Sequence, residues 1–300
     1  MTKRIHYNHC PVCGSPAIRN VLSVKDYTVS GELFPVAECN QCTLRFTQDI
    51  PSADSIGPYY KSEDYISHSN TSKGLINRLY QSVRKRTLDV KRDLIIKITG
   101  KSKGVLLDIG SGVGSFAFAM KKNGWDVIGI EPDPGARDKA RKLYRMELED
   151  IDRFYKLTPG GFDAITLWHV LEHVHDLKGY VSQLEHLLKP GGKAFIAVPN
   201  YTSFDASHYR QYWAAYDVPR HLYHFSPDSF RRLIKYYRFH LKEMKPMWFD
   251  SFYVSMLSEK YKTGKNNYAK AFSVGMRSNL LTMRNKERCS SVIYILERQP

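Results

Sequence analysis

The sequence predicts a doubly wound α/β domain preceded by a small cysteine-built module, on three observations. After Gly104, short apolar strands alternate with amphipathic helices, the pattern of a parallel sheet covered on both faces. The first of these strands runs directly into a glycine-rich turn, Asp108-Ile109-Gly110-Ser111-Gly112-Val113-Gly114, that opens a helix. Ahead of both, four of the five cysteines fall in the first 42 residues, as Cys10-Pro11-Val12-Cys13 and Cys39-Asn40-Gln41-Cys42.

The two C-x2-C knuckles, separated by a loop over 14–38, match the spacing of a tetrahedral zinc site in which each tight turn supplies two thiolates. Gly14 and Asn40 suit those turns. Cys10, Cys13, Cys39 and Cys42 are therefore the expected ligands of a zinc ion in a module over residues 1–50. Four thiolates leave no open coordination position, so its role is structural or recognitional. Free or disulfide-bonded cysteines fit a cytosolic chain poorly.

Pro, Gly, Ser, Asp and Tyr mark Pro51 to Tyr65 as a connector. Leu75, Leu79, Val83, Val90, Leu94 and Ile98 then recur near helical spacing among Arg84, Lys85, Arg86, Lys91 and Arg92, predicting a basic amphipathic helix or helix pair within a linker region 51–100. Such a helix packs on a core, or meets a partner or a membrane surface.

In the domain over 101–300, strands are expected at Val105–Ile109, Asp126–Ile130, Phe162–Leu167 and Lys193–Val198. Helices are expected at Ser115–Lys122, Pro134–Leu143 and Leu177–Leu188, with Lys189-Pro190-Gly191-Gly192 as a stop and turn. An aromatic and His-rich insertion at about 201–225 should cap the pocket. A helix follows with Ser226 as N-cap, Pro227 at its first position and Asp228 in its first turn. Ser291–Glu297 reads as a closing strand, and no internal repeat is visible.

The formal charge of +15 is uneven: residues 73–103 hold ten Lys/Arg against two Asp/Glu, and residues 231–300 hold fifteen against five. Basic surfaces beside a near-neutral core suit an anionic partner such as a nucleic acid, a phosphorylated metabolite or a membrane surface, or a merely solvated face. No stretch approaches the roughly 18–20 apolar residues of a membrane span, and Met1–Tyr7 lacks an apolar signal core, which leads us to expect a cytoplasmic protein.

Glycines at Gly110, Gly112 and Gly114 let a ligand approach the backbone, and the helix that follows presents unpaired N–H groups. Glu131, 23 residues after Asp108, stands at the tip of the neighbouring strand, where a carboxylate accepts both hydroxyls of a ribose. A dinucleotide site would carry G-x-G-x-x-G around a pyrophosphate. Here the loop reads G-x-G-x-G behind an acid, which repels pyrophosphate and suits a cationic amino-acid moiety.

Leu107-Asp108-Ile109-Gly110-Ser111-Gly112-Val113-Gly114, Ile130-Glu131-Pro132-Asp133, Phe162-Asp163-Ala164-Ile165, Leu171-Glu172-His173-Val174 and Leu188-Lys189-Pro190-Gly191-Gly192 together resemble the successive motifs of class I S-adenosylmethionine-dependent methyltransferases, over about residues 100–200. The resemblance implies a Rossmann-like, seven-stranded, mostly parallel sheet whose last strand is antiparallel. It places Asp108 and the loop Gly110, Ser111, Gly112 and Gly114 at the methionine part of S-adenosylmethionine, Glu131 at the ribose, and Pro132 with Asp133 at the adenine. Asp150 or Glu149 is assigned to the adenine pocket, and His169 counts among the cofactor contacts as well as the catalytic candidates.

Methyl transfer is an in-line displacement that asks chiefly for alignment and, for a hydroxyl acceptor, removal of a proton. The candidates lie in Trp168-His169-Val170-Leu171-Glu172-His173-Val174-His175 and Pro219-Arg220-His221-Leu222-Tyr223-His224. Either His169 or His221 is a general base without metal, or His169, Glu172, His173 and His221 hold a divalent cation, as similarity to ubiquinone-pathway O-methyltransferases and small-RNA 2′-O-methyltransferases suggests. Each histidine alone could equally cap a helix or satisfy a core polar group. A small, sugar-linked or lipid-linked acceptor is the leading expectation, and the four-cysteine module also resembles that of sugar C-methyltransferases. RNA is the alternative substrate, because some ribosomal-RNA methyltransferases also begin with a zinc module. A non-catalytic cofactor-binding adaptor is the alternative of another class.

Overall fold

The computed structural model describes residues 3–61 and 75–300, with side chains from Arg86 onward in the helix that opens the second stretch. The connector beyond Lys61 and the expected positions Leu75, Leu79, Val83, Arg84 and Lys85 thus lie outside the described residues or side chains. In the N-terminal module, β1 (Arg4–Ile5) pairs antiparallel with β5 (Ile50–Pro51), bringing its two ends together. Between them β2 (Ile18–Lys25), β3 (Leu33–Cys39) and β4 (Arg45–Thr47) form an antiparallel meander. The β2–β3 turn is built on Asp26, whose carboxylate accepts the N–H groups of Thr28 at 3.0 Å, Val29 at 3.2 Å and Ser30 at 2.8 Å.

The expected basic helix is one element, α1 (Leu75–Thr99), with Ile95 buried against the central sheet. Then β6 (Val105–Ile109), α2 (Ser115–Lys122), β7 (Asp126–Ile130), α3 (Pro134–Tyr144), β8 (Phe162–Trp168), α4 (Leu177–Leu187) and β9 (Leu188–Pro199) follow the predicted alternation. β9 begins five residues before the expected Lys193, because the Lys189–Gly192 turn lies inside it as an irregularity. Its register jumps from Phe162 opposite Leu188 to Ala164 opposite Lys193.

The insertion folds as α5 (Phe204–Tyr209), two short 3-10 turns, and β10 (Tyr223–His224), which pairs with β4. The module expected over residues 1–50 therefore takes its fourth strand from the insertion, giving the order β10-β4-β3-β2. α6 (Pro227–Ile234) carries the expected cap, closed reciprocally by Ser226 and Ser229. β11 (Phe239–Pro246) and β12 (Ser291–Arg298) complete a central sheet of order β11-β12-β9-β8-β6-β7, in which β12 alone is antiparallel.

Among the described residues that sheet has six strands where seven were expected. The place beside β7 holds only an isolated bridge between Ile130 and Glu149. Met146-Glu147-Leu148-Glu149-Asp150 has no β-branched residue, and Met146 and Leu148 turn inward onto Ala117 and Ala140 in place of forming a ladder. Between β11 and β12 stands a helical hairpin that sequence periodicity did not reveal, α7 (Asp250–Thr263) and α8 (Tyr268–Arg284). They meet at Gly275, where an added Cβ would lie 2.8 Å from Phe252 Cδ1.

Module and insertion are joined through Arg220, which has no exposed surface. Its guanidinium donates to Asp26 Oδ1 at 2.9 Å, to Asp217 Oδ1 at 2.7 Å and Oδ2 at 3.0 Å, to the Tyr59 carbonyl at 2.9 Å and to the Thr28 hydroxyl. Burial alone would raise the Asp26 pKa, but Arg220 and the turn amides outweigh it and bring it down to about 2. Asp26→Ala leaves a buried guanidinium short of its partner and should cost about 3–5 kcal/mol in urea unfolding. Because the folded pKa is depressed, this contribution is complete above the ordinary carboxylate range and is lost as pH falls towards 2. The difference between wild type and variant should therefore shrink on acidification below about pH 4.

Candidate functional site

The four cysteines converge as expected. Cys10 and Cys42 sulfurs lie 3.4 Å apart, Cys13 and Cys39 sulfurs 3.5 Å apart, and all four are within 4.8 Å of one another. Four thiolates at about 2.3 Å from a common centre require this spacing, so the cluster fits a zinc ion. Each knuckle closes identically: the Gly14 N–H donates to the Cys10 carbonyl and the Thr43 N–H to the Cys39 carbonyl, both at 2.9 Å. Gly14 (φ 74°) and Thr43 (φ 59°) take the left-handed conformation, so Thr43, and not the expected Asn40, is the counterpart of Gly14.

At the carboxyl ends of β6 and β7 the predicted loop takes shape. Gly110, Gly112 and Gly114 all have positive φ, and an added Cβ at Gly110 would come within 2.4 Å of Val170. Asp108 is buried. Its Oδ1 accepts the Thr166 hydroxyl at 2.7 Å, while Oδ2 has no partner. Burial raises its pKa to about 6, against the pull of Thr166, Ser111 and Lys91. Glu131 accepts the Gly112 N–H at 2.7 Å and the Asp133 N–H at 3.0 Å, one on each oxygen, so each keeps a lone pair for a ligand hydroxyl.

The expected adenine residues are partly occupied. Asp133 caps α3 by accepting from Gly135 and Ala136, directly after Pro132. Asp150 ion-pairs with Arg137 at 2.7 Å, and Glu149 meets β7 through its backbone. Ser111 donates its hydroxyl to the Asp108 carbonyl at 2.8 Å.

The second cluster lies at the end of β8. His169 sits at φ 59°, its Nε2 3.0 Å from Asp250 Oδ2 and its Nδ1 3.4 Å from Glu172 Oε1. Burial opposes its protonation, but Asp250 and Glu172 overcome this and raise its pKa to about 10. Glu172 is fully buried; its Oε1 is met by His169 as an ion pair, and its Oε2 has no partner. One ligand atom from each of Glu172, His173 and His221 lies within 4.8 Å of the others. His173 Nδ1 is 3.0 Å from the Arg220 carbonyl, and His221 Nδ1 is 2.8 Å from the Ala215 carbonyl. A carbonyl only accepts, so each Nδ1 carries a proton and Nε2 is the nitrogen each ring has left for another partner; His221 Nε2 lies 4.0 Å from Asp217 Oδ2. His175 and His224 are engaged elsewhere, by the Pro51 carbonyl and the Thr47 hydroxyl.

Two neighbours escaped sequence reasoning. Asp250 opens a helix 81 residues beyond His169, and nothing local marks it. Lys91, read as part of a basic face, instead places Nζ 4.2 Å from the Trp168 ring centroid. Burial lowers its pKa to about 8, opposed by Asp250 and Asp108.

Residues 80–241 match the profile of the family described as a methyltransferase domain. That is more than half of the chain, and the chain belongs to this family. Among curated relatives, a ubiquinone biosynthesis O-methyltransferase of Xylella fastidiosa (strain M23) is 34% identical over 121 residues, covering 38% of this chain and 49% of that protein. The protein of the same name from Pectobacterium carotovorum (strain PC1) is 33% identical over 104 residues, 32% of this chain and 43% of that one. The chain thus spans about half the length of the curated relatives it matches. Among solved structures, a candidate sarcosine dimethylglycine methyltransferase from Galdieria sulphuraria superposes with a TM-score of 0.52 at 14% identity, over 73% of this chain and 88% of that one. That likeness is one of fold.

Metal analysis of the purified protein should find zinc at about one per chain through the four-cysteine cluster. Cys39→Ser should lose it and lower Tm by about 10 °C or more, since each kcal/mol is worth roughly 2–4 °C at this size. An unchanged melting curve and zinc content in the variant would contradict the assignment.

Proposed function

We propose that this protein transfers the methyl group of S-adenosylmethionine to a hydroxyl of a small, lipid-linked acceptor, with a divalent cation held by Glu172, His173 and His221. The observation that supports the cation is the buried Glu172 carboxylate, whose Oε1 meets His169 and whose Oε2 has no partner, beside His173 and His221, each turned by a backbone carbonyl on its Nδ1. An oxygen of a buried carboxylate left without a partner is costly in a protein interior, and His169 answers only one of the two. The acceptor class is supported by the names of the relatives, ubiquinone biosynthesis O-methyltransferases. When bound, the cofactor supplies a methyl group on a sulfonium and the cation a Lewis acid for the acceptor oxygen.

The chain's own residues supply the rest. Asp108, with its free Oδ2, and the Gly110–Gly114 loop receive the cationic methionine part, and two poorly solvated acids, Asp108 and Glu131, favour a positive ligand there. Glu131 takes the ribose hydroxyls on its remaining lone pairs. Lys91, half-buried over Trp168, is a cation available to the ligand carboxylate. Asp250 and Glu172 hold His169, which is partly exposed, in its protonated form, so it would donate a hydrogen bond to the acceptor oxygen. The hydroxyl proton, made acidic by the cation, would leave to solvent as the methyl group is transferred and the sulfonium becomes a thioether.

Two measurements test this reading. By calorimetry, Asp108→Ala and Glu131→Ala should each weaken S-adenosylmethionine binding at least about tenfold, as expected for losing hydrogen bonds to a charged group. Normal affinity in both would refute the cofactor site. With radiolabelled donor and fractionated cell extract, label should enter the lipid pool, fall by on the order of a hundredfold in Glu172→Gln with cofactor affinity retained, and require an added divalent cation after chelation. Label in the RNA pool, or full activity of the variant, would overturn the proposal.

A further inference from the structure

The hairpin of α7 and α8 carries an apolar surface that neither the core nor the site uses. Residues of α8 turn by about 100° each, so Tyr268, Phe272, Met276, Leu280 and Met283 fall along one side. Phe272 is 58% exposed, Leu280 55% and Met283 72%. The opposite side, with Ala271, Val274, Ser278 and Thr282, is buried. A third side carries Lys270, Arg277 and Arg284, and no Asp or Glu occurs between Tyr268 and Arg284.

The stripe continues onto the start of α7. Trp248, Phe249 and Tyr253 are exposed there, and Asn279 of α8 donates to the Trp248 carbonyl at 2.8 Å. Asp250, within this same segment, is the residue that holds His169. The segment that carries the apolar surface therefore also supplies a residue of the candidate site.

We propose that this face docks on an anionic lipid bilayer, its apolar stripe at the boundary between headgroups and acyl chains and its cations against lipid phosphates. A second copy of the chain would bring like charges together along the cationic edge, whereas an anionic bilayer answers both the apolar and the cationic side. Trp248 and Tyr253 at the edge of the stripe suit the interfacial layer. Among the described residues no helix is long and apolar enough to cross a membrane, so the hairpin lies on the surface. The docking rests on the hairpin alone and stands apart from the acceptor reading.

Co-sedimentation of the full chain with vesicles tests it. Binding is expected on phosphatidylcholine vesicles containing about 30% phosphatidylglycerol, and much less on phosphatidylcholine alone. Phe272→Ser, Leu280→Ser and Met283→Ser combined should weaken it at least about tenfold with an unchanged circular dichroism melt, because these side chains leave water only on docking. Lys270→Glu with Arg284→Glu should remove the preference for anionic lipid. No binding to the anionic vesicles, or binding indifferent to the serine substitutions, overturns the proposal. So does light scattering that shows a dimer dissociated by those substitutions, since the stripe would then be a subunit interface. Vesicle binding without label in the lipid pool would leave docking in place and sink the acceptor reading.

Discussion

A guanidinium with no access to water can persist only where acids and carbonyls surround it, and Arg220 imposes that condition on three separate parts of the chain. Asp26 comes from the β2–β3 turn of the cysteine module, the Tyr59 carbonyl from the connector, and Asp217 from the insertion. Satisfying this one charge brings all three together. The Arg220 carbonyl also accepts from His173, and the next residue is His221, so the same contact that docks the module sets two histidines of the candidate cation site. The module thus acts as a brace: β10 pairs with β4, Thr47 bonds the His221 carbonyl, and the four-cysteine cluster ties the end of β3 to the start of β4.

Charge is distributed unevenly over the candidate site. Asp108 and Glu131, at the glycine loop, have raised pKa values, a field that a cationic ligand would relieve. At the end of β8, Asp250 and Glu172 raise the His169 pKa to about 10, while burial and His221 lower that of His173 to about 4. Lys91 lies between the two groups, tied electrostatically to Asp108 and Asp250.

The alternation of β6 to β9 with its helices was legible because a strand buried on both faces must be apolar along its length, and a glycine-rich turn must follow where the backbone meets a ligand. The hairpin between β11 and β12 was not legible, because its pattern is inverted. Ser251, Ser255, Ser258, Ser278 and Thr282 face inward, where close helix approach admits only small groups, and Phe272, Leu280 and Met283 face out. Periodicity of large apolar residues therefore marks the wrong face of these helices. The absent seventh strand was foreshadowed by the acidic, unbranched run Met146–Asp150.

By itself the sequence determined the fold class, the four-cysteine cluster, and the glycine-rich turn with the acids at the tips of β6 and β7, because each depends on spacing within a knuckle, a strand or a turn. Tertiary structure alone decided that Asp250 and Lys91 join the candidate site, that β10 belongs to the module's sheet, and that Glu172 is buried beside three histidines with one oxygen left without a partner. Those facts arise from packing between segments tens of residues or more apart, and local chain geometry carries no record of which distant surface will be buried against which.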